Sequence, residues 1–204
     1  TEIYTLSLHD ALPICVFELE ESRVYLEAAK KFGLGLKLHA DEIVELGGTG
    51  LAADLGAVSA DHLLKASARD IRKLAESGTV ATCLPLTAFV LREPYANARA
   101  MIDAGCAVAL ASDFNPGSCN SQSIPLLIAL AVLYMKLSIE ETITALTLNG
   151  AAACSRSDKR GSIEAGKKAD LVILDAPDYR YLAYNTGMNI VQSVMKDGLI
   201  VHKR

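Results

Sequence analysis

The chain has 204 residues, 51% hydrophobic and 22% charged, a balance that excludes a disordered or collagen-like polypeptide and leaves a folded globular one. Twenty Lys and Arg against 24 Asp and Glu give a net charge of −4, and no stretch gathers enough cations to follow a phosphate backbone, so nucleic acid is not an expected partner. The longest apolar run, Ile124 to Met135, falls short of the roughly 20 residues that span a bilayer, so no membrane partner is expected, and five cysteines without a Cys-x-x-Cys pair fit free thiols in a cytoplasmic protein.

From Phe17 onward, helix-period segments alternate with short apolar runs that end in polar residues, the punctuation of βα units. Glu18 to Phe32 reads as a helix closed by Gly33, and Leu36 to Asp41 as the first strand. A short helix over Leu51 to Leu55 leads to a second strand, Ala57 to His62. Ser67 is the expected N-cap of a helix reaching Ser77, and Thr79 to Leu84 is a third strand stopped by Pro85. Pro94 to Ala104 is expected as a helix with proline in its first turn, before the fourth and most hydrophobic strand, Cys106 to Asp113. The rhythm then changes to two successive helices, Ile124 to Met135 and Ile139 to Ala153, the second opened by a Ser138/Glu141 capping box. A polar, Gly-containing break places a boundary near Arg156 to Gly161. Beyond it Ala169 to Leu174 and Ile190 to His202 read as strands, the latter split by a Lys196-Asp197-Gly198 turn.

In parallel α/β folds the active site lies at the carboxyl ends of the strands, which gives weight to three of these ends. They carry His39-Ala40-Asp41-Glu42, Asp61-His62 and Asp113-Phe114-Asn115-Pro116-Gly117-Ser118. Two of the four histidines thus occupy consecutive strand ends, with Asp113 at a third. Imidazole and carboxylate donors suit zinc or ferrous iron, and an open site on such a metal generates a hydroxide nucleophile near neutral pH. Cys83 and Cys106 lie inside apolar strands and read as buried thiols. Gly47-Gly48-Thr49-Gly50 lacks the lysine of a P-loop and is expected to be a flexible loop over the site.

Four motifs together resemble the imidazolonepropionases of the metal-dependent amidohydrolase superfamily: Lys37 to Glu42, Ser59 to Leu63, Leu91 to Ala96 and Ala111 to Ser118. The run Gly161 to Val172 is similar to the superfamily's return into a flanking β-sandwich. The resemblance covers about Val16 to the end and implies an α/β fold, the C-terminal half of a (β/α)8 TIM barrel over residues 16–156 with part of the sandwich over 157–204. It implies one metal ion, zinc or iron, held by His39 and Asp113, with Asp113 also accepting a proton from metal-bound water. It further implies that Glu42 contacts the imidazolone ring or orients the water, that His62 polarises the ring carbonyl, and that Asn115, Gly117 and Ser118 hold substrate or product. The implied reaction is hydrolysis of 4-imidazolone-5-propanoate to N-formimidoyl-L-glutamate in histidine degradation, by an enzyme with a habit of forming homodimers.

A complete barrel takes about 250 residues, and the His-x-His pair that the family places on its first strand occurs nowhere in this chain. Residues 1–15 match nothing in the family and resemble a translated sequencing adaptor, so they are expected to be a non-native leader. The expectation is therefore a truncated, inactive piece of the enzyme. The alternatives are a non-catalytic half-barrel binding module, or another cyclic amidohydrolase or deaminase on the same scaffold.

Overall fold

A computed structural model of the chain describes residues 7–8 and 18–204. The leader expected over residues 1–15 lies outside the described residues except for Ser7–Leu8, a two-residue strand (β1) that pairs in parallel with the next strand. Helix α1 (Leu19–Lys31) follows, with Glu18 and Glu21 forming a reciprocal capping box. Then come β2 (Lys37–Ala40), α2 (Gly48–Leu55), β3 (Ser59–His62), α3 (Ala68–Ser77), β4 (Val80–Cys83), α4 (Pro85–Leu91), α5 (Ala98–Asp103) and β5 (Val108–Leu110). Strands β1 to β5 form one sheet in sequence order, every pair parallel. For β2 to β5 this is the arrangement the βα punctuation predicts; β1 is an additional strand, within the stretch expected to be a leader.

The two faces of the sheet have different chemistry because side chains alternate along a strand. One face carries Leu38, Ala40, Ala60, Ala81, Cys83, Val108 and Leu110, all in the main hydrophobic core with Leu51, Leu74 and Met101 of the covering helices. Alanine at these positions lets the helices approach closely. In register across the opposite face run His39, Asp61, Thr82 and Ala109. Polar groups thus share a sheet with an apolar core without entering it.

Three expected elements are redrawn. Pro85 does not merely stop β4; it begins α4, as a proline in a first turn does when its missing N–H is one the helix would leave unpaired anyway. Pro94, in contrast, begins no helix. Arg92 caps α4 at a left-handed φ of 60°, and α5 starts only at Ala98, where the Asn97 side chain accepts from Ala100 N. The long helix expected over Ile139 to Ala153 is broken at Thr147 into α7 (Ile139–Leu146) and α8 (Leu148–Ala153), after α6 (Ile124–Leu133). The Ser138/Glu141 capping box is present as expected.

Helix α8 packs Ala153 against Val80 and Ala109 on the polar-bearing face of the sheet, and Asn149 donates to the carbonyl of Val108 at 2.8 Å. Gly161 makes this turn possible. Its φ is 94°, and a Cβ there would lie 2.8 Å from Ala151 Cβ and 2.9 Å from Thr147 O. Past it, β6 (Leu171–Leu174), the short α9 (Tyr181–Tyr184), β7 (Val191–Lys196) and β8 (Leu199–Lys203) follow, the three strands forming an antiparallel sheet. Asp170 gathers Arg160, Lys196 and the Asp197 N–H, which ties the segment after α8 to the β7–β8 turn. No helix among the described residues is long and apolar enough to cross a membrane.

Candidate active site

Two groups of side chains sit at the carboxyl ends of the parallel strands. The first joins β2 and β3. His39 points from the polar-bearing face, and by strand alternation His62, in register with Ala40, would belong to the core face. His62 instead adopts a left-handed φ of 76°, and Leu63 follows at 63°. The strand ends there, and the His62 ring meets His39 with Nε2 2.8 Å from Nδ1. On its other side, His62 Nδ1 lies 3.3 Å from Glu42 Oε1. Glu42, His62 and His39 therefore form a continuous line, with the His62 ring only 3% exposed. Left-handed non-glycine residues cost on the order of 1–3 kcal/mol and persist where surrounding contacts over-determine them.

Asp41, between His39 and Glu42, does different work. Its buried carboxylate accepts from the N–H groups of Leu46, Gly47 and Gly48 on Oδ1, and from the N–H and hydroxyl of Thr49 on Oδ2. It caps α2 from outside the helix. The flexible loop expected at Gly47 to Gly50 is accordingly replaced by the first turn of that helix. The turn is packed closely: a Cβ at Gly48 would lie 3.1 Å from Ala40 Cβ, and one at Gly50 would lie 2.7 Å from Oδ1 of Asp70, whose side chain would have to shift.

The second group follows β5. Asp113 has a left-handed φ of 54°, and its Oδ2 accepts from Thr87 Oγ1 at 2.6 Å. Asn115 donates from Nδ2 to the Asp113 carbonyl, while its Oδ1 accepts from Gly117 N and Ser118 N, each at 2.8 Å. The loop is closed by Asn115 N donating to Cys119 O. Asn115, Gly117 and Ser118, expected to hold a substrate, are thus bonded to one another. Thr87 escaped the sequence reading; the available signal was a hydroxyl in the first turn of a helix that starts directly at a strand end.

His39 and Asp113 have the donor chemistry of metal ligands, yet among the described residues no group of three His, Cys, Asp or Glu side chains is placed to hold a metal ion. These residues alone do not make a metal site. Cys83 behaves as the buried thiol expected of it: burial foremost, then the neighbouring Cys106 and Asp61, pushes it from 9.0 up to about 12. It is no nucleophile.

Residues 16–201 match the model of the amidohydrolase family. The chain belongs to that family. It is 65% identical over 185 residues to an imidazolonepropionase of Bacteroides thetaiotaomicron, covering 91% of this chain and 44% of the relative. It is 60% identical over 189 residues to one of Clostridium tetani, covering 93% and 45%. This amidohydrolase chain therefore spans less than half the length of these curated relatives. Among solved structures it is similar to a zinc-bound adenosine deaminase from Xanthomonas campestris, with a TM-score of 0.77, 24% identity and coverage of 89% and 48% of the two chains. An atrazine chlorohydrolase variant from Arthrobacter aurescens, complexed with zinc and atraton, gives 0.77 at 18% identity, covering 98% and 50%. Both likenesses concern the fold, and they fit an α/β piece of a TIM barrel.

Proposed function

We propose that this chain carries part of the ring-opening site of an imidazolonepropionase, within a polypeptide of the relatives' length. The observation that carries the reading is the Glu42–His62–His39 line at two strand ends, in a chain 65% identical to an enzyme of that name. The substrate is 4-imidazolone-5-propanoate. Water adds to the ring carbonyl carbon, the ring C–N bond breaks, and the departing nitrogen takes up a proton to leave N-formimidoyl-L-glutamate.

Each residue has a role its surroundings support. Glu42 contacts the imidazolone ring or orients the water, and His62, held between Glu42 and His39, polarises the ring carbonyl and stabilises the developing oxyanion. Asp113 accepts the proton released by the attacking water. Asn115, Gly117 and Ser118 shape the loop that presents Asp113 and offer the remaining polar contacts to substrate or product. His39 and Asp113 are two ligands of a zinc or ferrous ion whose other ligands come from outside the described residues, and such a metal, when bound, supplies an activated water. The protein acts in the cytoplasm.

The test is a hybrid polypeptide that joins the portion of the Bacteroides thetaiotaomicron relative lacking here to residues 16–204. Loss of the imidazolone absorbance should be rapid, and Asp113→Asn should slow it by about 100-fold or more. A folded, metal-loaded hybrid that leaves the ring intact would refute the reading. If it acted on another cyclic amide or an aminated ring, it would favour a different amidohydrolase or a deaminase.

A further inference from the structure

We infer that Thr87 is a positioning residue for the ring-opening reaction: by occupying Oδ2 of Asp113 it reserves Oδ1 for the reacting groups. The inference rests on the role proposed for Asp113.

A carboxylate has two equivalent oxygens and rotates freely unless a partner distinguishes them. Thr87 distinguishes them here. Its hydroxyl is 2.6 Å from Oδ2, within the range of a charge-assisted O–H···O bond, and an ionised carboxylate only accepts, so the proton is donated by threonine. Thr87 is 1% exposed, so water does not compete for that hydroxyl. The carbonyl four residues back, Cys83 O, which a helical threonine commonly bonds, already accepts from Ala111 N. Among the described residues, the only hydrogen bond of the Thr87 hydroxyl runs to Asp113.

The main chain of Asp113 is secured separately, by the bond from Asn115 Nδ2 to its carbonyl at 2.8 Å. Backbone and side chain are held from two directions, which accounts for the left-handed φ of 54° at a residue with a Cβ. Among the described residues, Oδ1 accepts no hydrogen bond. Placement matters as well: Pro85 starts α4 immediately after β4, so Thr87, two residues on, faces the end of the neighbouring strand β5. A helix that begins right at a strand end delivers a hydroxyl to the next strand's carboxylate.

Two substitutions separate this role from packing. Thr87→Val keeps the shape and removes the hydroxyl; Thr87→Ser keeps the hydroxyl and removes the methyl. In the full chain, amide hydrogen exchange at Asn115 and Ser118 should quicken about tenfold in Thr87→Val, with α3 and β3 unchanged, and stay within about twofold of wild type in Thr87→Ser. In the hybrid enzyme, Thr87→Val should lower kcat about 10- to 100-fold with little change in KM, and Thr87→Ser should restore it. Damage by serine but not by valine, in either measurement, would overturn the inference in favour of packing. Normal kcat in Thr87→Val, in a hybrid that Asp113→Asn inactivates, would overturn it while leaving the role of Asp113 intact. Normal turnover in Asp113→Asn would instead sink the reading of the site, and the positioning role with it.

Discussion

Replacing Asp41 tests whether its carboxylate holds the fold or takes part in the chemistry of its neighbours His39 and Glu42. Five donors converge on it, three on Oδ1 and two on Oδ2. In Asp41→Ala the N–H groups of Leu46 and Gly47 regain water, because that turn is exposed or half-exposed. Thr49 cannot, being 0% exposed; its N–H and hydroxyl become buried groups without a partner. A buried orphan costs about 1–3 kcal/mol and a lost helix cap about 1 kcal/mol. The expected destabilisation is about 4 kcal/mol, which for a chain of this size lowers Tm by roughly 8–16 °C. Asp41→Asn keeps one acceptor oxygen but turns an NH2 toward two donors, so about half of that loss is expected. Urea unfolding followed by far-ultraviolet circular dichroism on the full chain measures both. A destabilisation below about 1 kcal/mol in Asp41→Ala would refute the capping role.

In the hybrid enzyme, His62→Ala should reduce turnover about 100-fold or more with bound metal unchanged by elemental analysis; loss of metal would make His62 a ligand instead. Glu42→Gln keeps the length of the side chain but removes its charge and proton-accepting ability, so turnover should fall substantially while the fold survives, and an unchanged rate constant would place Glu42 outside the reaction. Gly161→Ala should destabilise the chain by about 2–4 kcal/mol, since it adds left-handed strain to an overlap with Ala151 and Thr147; a melting curve equal to wild type would show that α8 can move aside. The Cys83 thiol sets an alkaline limit: its value is raised from 9.0 to about 12 on folding, so its stabilisation is complete below pH 9 and is lost as pH rises through that window, by about 1.4 kcal/mol per unit. Cys83→Ala should flatten the stability profile above pH 9, and an unchanged slope would contradict the burial of the thiol.

Much of the architecture was legible because it rests on local chemistry. Ser67 accepts from Asp70 N, and Ser138 and Glu141 close a capping box, as their spacing alone requires. The alternation of strand and helix, the Lys196-Asp197-Gly198 turn and the strand ends bearing His39 and His62 were equally open to reading, since periodicity and turn preference act over a few residues, whereas the strand expected to reach Asp113 ends at Leu110 and leaves Asp113 in the loop beyond it. The motifs around those ends also placed the chain in its family.

Tertiary structure decided who meets whom. His39 and His62 are 23 positions apart, and they touch because β2 and β3 pair in one register and the backbone turns left-handed at His62. Thr87 and Asp113 are 26 apart and meet because α4 starts where β4 ends. Asp41 looked like its neighbours in the sequence, yet the first turn of α2 folds back over it and takes up its carboxylate. Thr147 sits in an unbroken helical pattern, and the helix breaks there beside the close approach of Gly161 from beyond α8. A hydrogen bond or a steric contact between distant residues depends on strand register and helix packing, which no local propensity encodes.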